Sequence, residues 1–192
     1  LFVSKNYGAS WEKIGTGLPA EPINVVKEDA KNPNILYVGT DNGIYVSLNQ
    51  GKNFMKLGSE IPSVSVHDLV IHPRENEIIL GTHGRSIWIA SVNELQQLYD
   101  TLMAKELFVF DLEEKKYSEH WGKEKEKWRG EIDTPKLSVP FWVRAIHESP
   151  LRNDIKTDSG LLLKTISLIA KKGLNHFDYD LSMDSSMVKQ YE

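Results

Sequence analysis

Four carboxylates near strand ends are the first residues whose chemistry suggests a reaction: Asp29, Asp41, Asp68 and Glu75. Glycoside hydrolysis needs two carboxyl groups about 5 to 10 Å apart, one acting as an acid and the other as a base or nucleophile. No spacing in this sequence selects such a pair. We therefore expect solvated loop and turn carboxylates here, and we assign no catalytic residue to the chain.

Three histidines, His67, His72 and His83, could meet as metal ligands on adjacent loops. No pattern of acidic or thiol partners accompanies them, so the sequence favours neutral structural histidines and predicts no metal site. The chain also has no Ser-His-Asp order, no phosphate-binding loop and no dinucleotide signature. We accordingly expect no cofactor.

The strongest pattern in the sequence is a repeated eight-residue segment. It predicts the elements that would position a catalytic or metal site. Residues 4–11 read SKNYGASW and residues 47–54 read SLNQGKNF, so that Ser4 and Ser47 lie 43 positions apart. Each copy follows an apolar strand end. The pattern is typical of a tight hairpin, in which an asparagine side chain bonds its own backbone two residues further on.

Matching positions of the two hairpins carry the same kinds of residue. The structural set comprises Ser4, Asn6, Gly8, Trp11, Ser47, Asn49, Gly51 and Phe54. Gly8 and Gly51 suit a positive φ that a Cβ would disfavour. Trp11 and Phe54 begin the next strand, and we expect both to bury an apolar face against a neighbouring sheet.

A strand-rich repeat of this length predicts blades of a β-propeller, for which roughly 40 to 50 residues are usual. The pattern predicts strands at 23–28, 35–39 and 43–47, and again at 66–71, 78–81 and 86–90. After Ser91 the spacing of the apolar residues Leu95, Leu98, Tyr99 and Leu102 predicts an amphipathic helix, with Asn93 as its N-cap. Residues 1–92 are thus predicted to form the last two to three blades.

So few blades cannot close a ring, which usually needs about four to eight. We expect this chain to be the C-terminal part of a longer protein, whose N-terminal region, or another chain, supplies the remaining blades. His83 and Arg85 would start an inner strand and could contact a ligand in the central channel. Arg85 could there bind a carboxylate or another anion, or it could pair with an acidic residue of the neighbouring blade.

The hairpin segments resemble the Asp-box, or BNR repeat, of sialidases, xyloglucanases and the sortilin ten-bladed propeller, with asparagine in place of the usual aspartate. The sequences THGRSIW at 82–88, GLLLKTI at 160–166 and GLNHFDYDL at 173–181 are similar to the end of large secreted bacterial proteins. Those proteins carry a sortilin-like propeller followed by an immunoglobulin-like module. The resemblance implies a secreted or cell-envelope location. It also implies that the boxes are structural, although many relatives are labelled glycosyl hydrolases because of them.

The rest of the chain is predicted to form two further segments. Residues 93–134 are interpreted as a helical linker and a charged hairpin, and residues 135–192 as an immunoglobulin-like β-sandwich that is incomplete. Trp121 and Trp128 flank the charged run, either as a carbohydrate-stacking platform or as the aromatics of a solvated hairpin. Pro140 suggests an edge strand or a bulge.

Composition excludes several classes of function. Apolar residues make up 40% and charged residues 26% of the 192 residues, and the net charge is −4, which is ordinary for a globular domain and gives no basic excess for nucleic acid. No apolar run is long enough to span a membrane. The chain has no cysteine, so it forms no disulfide and no thiolate metal site.

Two hypotheses about function remain. The first is an extracytoplasmic binding or scaffold protein that engages a protein or glycan partner through its propeller loops. The second is a glycoside hydrolase whose catalytic carboxylates lie in upstream blades.

Overall fold

The computed structural model describes residues 1–58, 61–112, 114–116, 118, 121, 135–146 and 149–188. In this part of the chain most residues in regular structure lie in antiparallel strands and only three short helices occur, so the predicted all-β class is confirmed. The chain divides into two compact units, unit 1 at Leu1–Asp100 and unit 2 at Thr101–Glu192. No helix in the described ranges has the length and apolar character needed to cross a membrane.

Unit 1 is built from short antiparallel strands, and within each of its sheets every strand pairs with the next along the chain. They are β1 (Phe2–Val3), β2 (Glu12–Lys13), β3 (Ile23–Glu28), β4 (Leu36–Thr40), β5 (Gly43–Ser47), β6 (Met55–Lys56), β7 (Val66–His72), β8 (Glu77–Thr82) and β9 (Ile87–Ser91). Sheet A contains β1 and β2, sheet B contains β3 to β6, and sheet C contains β7 to β9. The repeat of the sequence is therefore a repeat of antiparallel meanders.

The core of unit 1 lies between sheets B and C. Both sheets contribute fully buried side chains, with Val92 beside them: Ile35, Tyr37, Ile44, Val46, Val66, Leu69, Ile78 and Leu80. Residues of a strand point alternately to opposite faces, and β4, β5, β7 and β8 present apolar side chains to this interior. Burial of each such side chain stabilises the fold by roughly 1.5 to 3 kcal/mol.

The segment after β9 differs from the predicted amphipathic helix. It forms two short helices, α1 (Asn93–Gln96) and α2 (Asp100–Met103), and Val92 occupies the N-cap position of α1 without a side-chain cap. The prediction that Asn93 caps the helix was wrong, because the Asn93 amide oxygen instead accepts a hydrogen bond from Asn76. Gln96 and Leu98 are both buried. Residues two apart in a helix point to nearly opposite faces, so one continuous helix with a single buried face could not bury both.

Unit 2 has two antiparallel sheets. Its strands and helix are β10 (Leu107–Val109), β11 (Leu137–Val143), β12 (Leu151–Lys156), β13 (Leu162–Leu168), β14 (Gly173–Tyr179) and α3 (Ser185–Val188). Sheet D has the order β10, β11, β14, and sheet E pairs β12 with β13. Phe141 and Val143 of sheet D form a small core with Ala170, against which Leu151 and Leu168 of sheet E pack. β10 falls in the segment interpreted as a linker, yet it belongs to sheet D.

Pro140 lies in the central strand of sheet D, so the prediction of an edge strand or bulge was wrong. Its carbonyl accepts a hydrogen bond from the Phe110 N–H, 3.1 Å away. The proline nitrogen lies on this same side of β11, beyond Val109, where β10 ends. The missing N–H therefore falls at the end of the β10–β11 ladder, past the last paired residue of β10, where its loss disrupts the sheet least.

Candidate functional site

The first hairpin, residues 4–11, is closed by bonds among its own residues. Ser4 Oγ accepts the Gly8 N–H at 2.7 Å and donates to Asn6 Oδ1 at 3.1 Å. Asn6 Oδ1 also accepts the Ser10 N–H at 2.9 Å, and Asn6 Nδ2 donates to Ser10 Oγ at 2.8 Å. Gly8 has a φ of 89°. These bonds need nothing from elsewhere in the chain.

The second hairpin, residues 47–54, repeats three of these four bonds. Ser47 Oγ accepts the Gly51 N–H at 2.8 Å and donates to Asn49 Oδ1 at 3.0 Å, and Asn49 Oδ1 accepts the Asn53 N–H at 2.9 Å. Gly51 has a φ of 81°. The matching sequence positions thus build one local structure, as the asparagine and glycine chemistry requires.

The two hairpins differ in what covers them. Residues 14–17 lie against the second hairpin, where the Gly15 N–H donates to the Gly51 carbonyl at 3.0 Å and the Phe54 N–H donates to the Thr16 carbonyl at 2.7 Å. Phe54 is buried, with 7% of its surface exposed, whereas Trp11 is 65% exposed. The prediction that Trp11 is buried was wrong for the described residues, in which sheet A contains only β1 and β2.

Removing the hydroxyl of Ser4 or of Ser47 should show how strongly burial increases the contribution of these local hydrogen bonds to stability. Ser47→Ala should cost about 1 to 2 kcal/mol of unfolding free energy, because it leaves the buried Gly51 N–H without an acceptor. Ser4→Ala removes the same bonds at an exposed site and should cost less than about 1 kcal/mol. Urea unfolding of both variants measures the difference, and an equal loss would contradict this account.

Asp29, one of the four candidate carboxylates, is buried with 5% of its surface exposed. It accepts bonds from the Lys31 N–H at 2.8 Å, the Asn32 N–H at 2.9 Å and Gln96 Nε2 at 2.9 Å. The Tyr37 hydroxyl donates to Asp29 Oδ2 at 3.2 Å, the same oxygen that accepts the Gln96 bond. Burial, followed by the charge of Asp29, raises the pKa of Tyr37. Asp29 thus ties α1 to sheet B and is not presented to a substrate.

The other candidate carboxylates are exposed. Asp68 Oδ1 accepts the N–H of its neighbour Leu69 at 2.8 Å, and Glu75 pairs with Arg74 at 2.7 Å in the turn between β7 and β8. Asp41 is different, because it belongs to a network with Asn24 of β3 and with Ser65 in the segment before β7. Asn24 Nδ2 donates to Asp41 Oδ1 at 3.0 Å and to Ser65 Oγ at 3.2 Å. Ser65 Oγ in turn donates to Asp41 Oδ1 at 3.2 Å.

Polar side chains from sheets B and C come together at the end of the sheets that contains Thr40 and Thr82. We call this set the polar rim, defined by Asn24, Asp41, Ser65, His67, His83 and Arg85. The His83 N–H donates to the Ser65 carbonyl at 2.9 Å, which joins the network of Asp41 to the start of the β8–β9 turn. The rings of His67 and His83 lie next to each other, with centroids 5.4 Å apart. His72 lies at the opposite end of β7.

Arg85 is exposed on the polar rim. Its carbonyl accepts the Trp88 Nε1–H at 2.9 Å, and the neighbouring Gly84 and Ser86 have φ values of 76° and 66°, which shape the turn that carries it. Within the described ranges Arg85 forms no ion pair, so its guanidinium is available to an anion. The alternative, pairing with an acidic residue of a neighbouring sheet, is not seen in this part of the chain.

A shallow cleft of about 590 Å³ lies beside sheet A, lined by Leu1, by residues 13–15 and by residues 18–23. Glu21 at its edge accepts a hydrogen bond from the side chain of Asn42, which lowers the pKa of the Glu21 carboxyl. Trp128, which with Trp121 flanks the charged run of either interpretation, lies outside the described residues.

Comparison with known proteins found no family model, no curated protein and no solved structure that matches this chain. The site is therefore characterised by its own geometry. Sequence reasoning had singled out His83 and Arg85 but missed Asn24 and Ser65. A signal for Asn24 was available, because it precedes His67 by 43 positions, the same interval that separates Ser4 from Ser47.

Proposed function

We propose that this chain contributes the closing blades of a β-propeller and an immunoglobulin-like module to an extracytoplasmic binding or scaffold protein. In this proposal the polar rim contacts the partner, a glycan or protein that presents a carboxylate or another anion. Blades from the same protein or from another chain complete the ring.

The observation that carries the proposal is the repetition of meander and hairpin in unit 1. The first three strands of sheet B pair in the same sequential order as the three strands of sheet C. Each sheet has a register shift near the start of its first strand, between Ile23 and Val25 and between Val66 and Asp68. Repeated blades bring equivalent loops to one face of a propeller, where ligands bind. Arg85 supplies a free guanidinium, which recognises carboxylates with two parallel hydrogen bonds.

The state of the four candidate carboxylates favours binding over hydrolysis by this chain's own residues, and the second hypothesis would need carboxylates from other blades. Asp29 is buried among donors, Glu75 pairs with Arg74, and Asp68 bonds its own neighbour. Asp41 is occupied by Asn24 and Ser65. None of these four has the paired arrangement of a glycosidase acid and nucleophile.

The proposal is tested by measuring how the 192-residue chain binds to immobilised acidic and neutral polysaccharides and to purified envelope proteins. We expect saturable binding to an anionic partner, weakened at least about tenfold by Arg85→Ala, since a charge-assisted bidentate contact contributes about 1.5 to 3 kcal/mol. Arg74→Ala is the matched control, because Arg74 lies in the turn between β7 and β8 at the opposite end of these strands.

Two outcomes would contradict the proposal. One is equal loss of binding in the Arg85 and Arg74 variants, which would place the contact away from the polar rim. The other is release of reducing sugar from a polysaccharide by the wild-type chain, which would favour hydrolysis.

A further inference from the structure

His67 and His83 are held side by side by the backbone. His67 is the extra residue of the bulge in β7, where the register shifts between Val66 and Asp68. A bulge turns a side chain away from its regular direction, and such bulges are frequent next to functional sites. His83 follows Thr82 directly at the end of β8, and its N–H bond to the Ser65 carbonyl fixes its position.

The two rings have the separation of imidazoles that share one metal ion. Their centroids are 5.4 Å apart and their planes meet at 55°. Two imidazole nitrogens at about 2.0 to 2.1 Å from a tetrahedral ion place the ring centroids about 5 Å apart. The backbone therefore already provides close to the required spacing before any ion binds.

The ring nitrogens are available to an ion. Both histidines are exposed, and neither ring forms a hydrogen bond with another residue of the described chain. A neutral imidazole offers one nitrogen lone pair, which suits zinc, copper and nickel.

The equivalent positions of sheet B show that this pairing is particular to sheet C. Asn24 lies in the bulge of β3 as His67 lies in that of β7, and Asp41 follows Thr40 as His83 follows Thr82. There the Asn24 amide donates to the Asp41 carboxylate at 3.0 Å, so the two side chains are hydrogen-bonded to each other. In sheet C both positions hold potential metal ligands that do not satisfy each other.

We propose that His67 and His83 chelate one borderline divalent transition-metal ion, of the class of Zn²⁺ and Cu²⁺, at the polar rim. In the described ranges no group of three or more His, Cys, Asp or Glu residues is placed to hold a metal. The site is therefore a two-imidazole chelate, with its remaining coordination positions open to water or to a donor group of a bound molecule. This inference depends on the histidine pair alone and does not require the proposed function.

Calorimetric titration of ZnCl₂ into the complete chain tests the chelate. We expect one saturable site in the wild type. We also expect a loss of Zn²⁺ affinity of about tenfold or more in His67→Gln and in His83→Gln, because the second imidazole acts at a high effective concentration. His176→Gln is the control, since His176 is exposed in β14 of unit 2 and should leave the affinity unchanged.

Electron paramagnetic resonance of bound Cu²⁺ is a second measurement. It reports the number of imidazole nitrogens that bind the ion, which a folding defect would not change from two to one. The wild type should show coupling to two imidazole nitrogens and each single variant coupling to one, with circular dichroism unchanged. The proposal is overturned if the wild type shows no saturable Zn²⁺ site. It is also overturned if both single variants keep the wild-type affinity and nitrogen count, or if His176→Gln weakens Zn²⁺ binding as much as they do.

Discussion

Gly39→Ala is expected to lower the unfolding free energy of unit 1 by about 3 kcal/mol, because the added methyl overpacks the contact between sheets B and C. A Cβ at Gly39 would lie 2.7 Å from Val25 Cγ1, 2.9 Å from Val66 Cγ1 and 2.9 Å from the Val66 carbonyl oxygen. The valine methyls could rotate, but the carbonyl belongs to β7. Relief of that clash therefore requires the two sheets to move apart.

Gly81→Ala is the matched control, because Gly81 precedes Thr82 as Gly39 precedes Thr40. A Cβ at Gly81 would meet only the Asp68 carbonyl oxygen, at 3.6 Å, which is an ordinary contact. Its cost should stay below about 1 kcal/mol. Hydrogen exchange of the β4 and β8 amides in increasing urea reports on unit 1 alone. Equal destabilisation by the two substitutions would show that the close approach of the sheets is not the cause.

Asp29→Ala is expected to cost about 3 to 5 kcal/mol, since it leaves several buried or partly buried donors without their shared acceptor. Those donors are the Lys31 and Asn32 N–H groups, the Tyr37 hydroxyl and Gln96 Nε2. The loss should be largest where Asp29 joins α1 to sheet B. Hydrogen exchange should therefore accelerate first at the Gln96 amide, which donates to the Val92 carbonyl at 2.9 Å.

Asp68→Ala provides the comparison for Asp29, because Asp68 is an exposed aspartate of the same unit that accepts one N–H bond. We expect its effect on the unfolding free energy to remain within about 0.5 to 1 kcal/mol. A similar loss in both aspartate variants would mean that removal of negative charge, and not the buried network, determines the stability of unit 1.

Much of the fold could be predicted because the signals are local. Strand-forming runs and turn residues predicted β3 to β9 within a few residues of their observed limits. A glycine with positive φ or an asparagine that bonds its own turn acts over four or five positions, so the hairpins at 4–11 and 47–54 follow directly from their residues.

The errors have a different origin, since each depends on a residue distant along the chain. Asn93 does not cap α1 because Asn76 engages its side chain. Pro140 lies in a central strand because β10 ends before it. The contact of His67 with His83 also required the fold, because only the bulge in β7 brings it beside the residue after β8.

The sequence by itself determined the all-β class, the strand repeat and the bonds inside each hairpin, because these arise between residues a few positions apart. Tertiary structure decided what each copy of the repeat became. Ser47 is buried while Ser4 is not, and Gly39 contacts β7 closely while Gly81 has room. Burial and close approach depend on what packs against a position, and those neighbours come from other sheets that a local pattern does not specify.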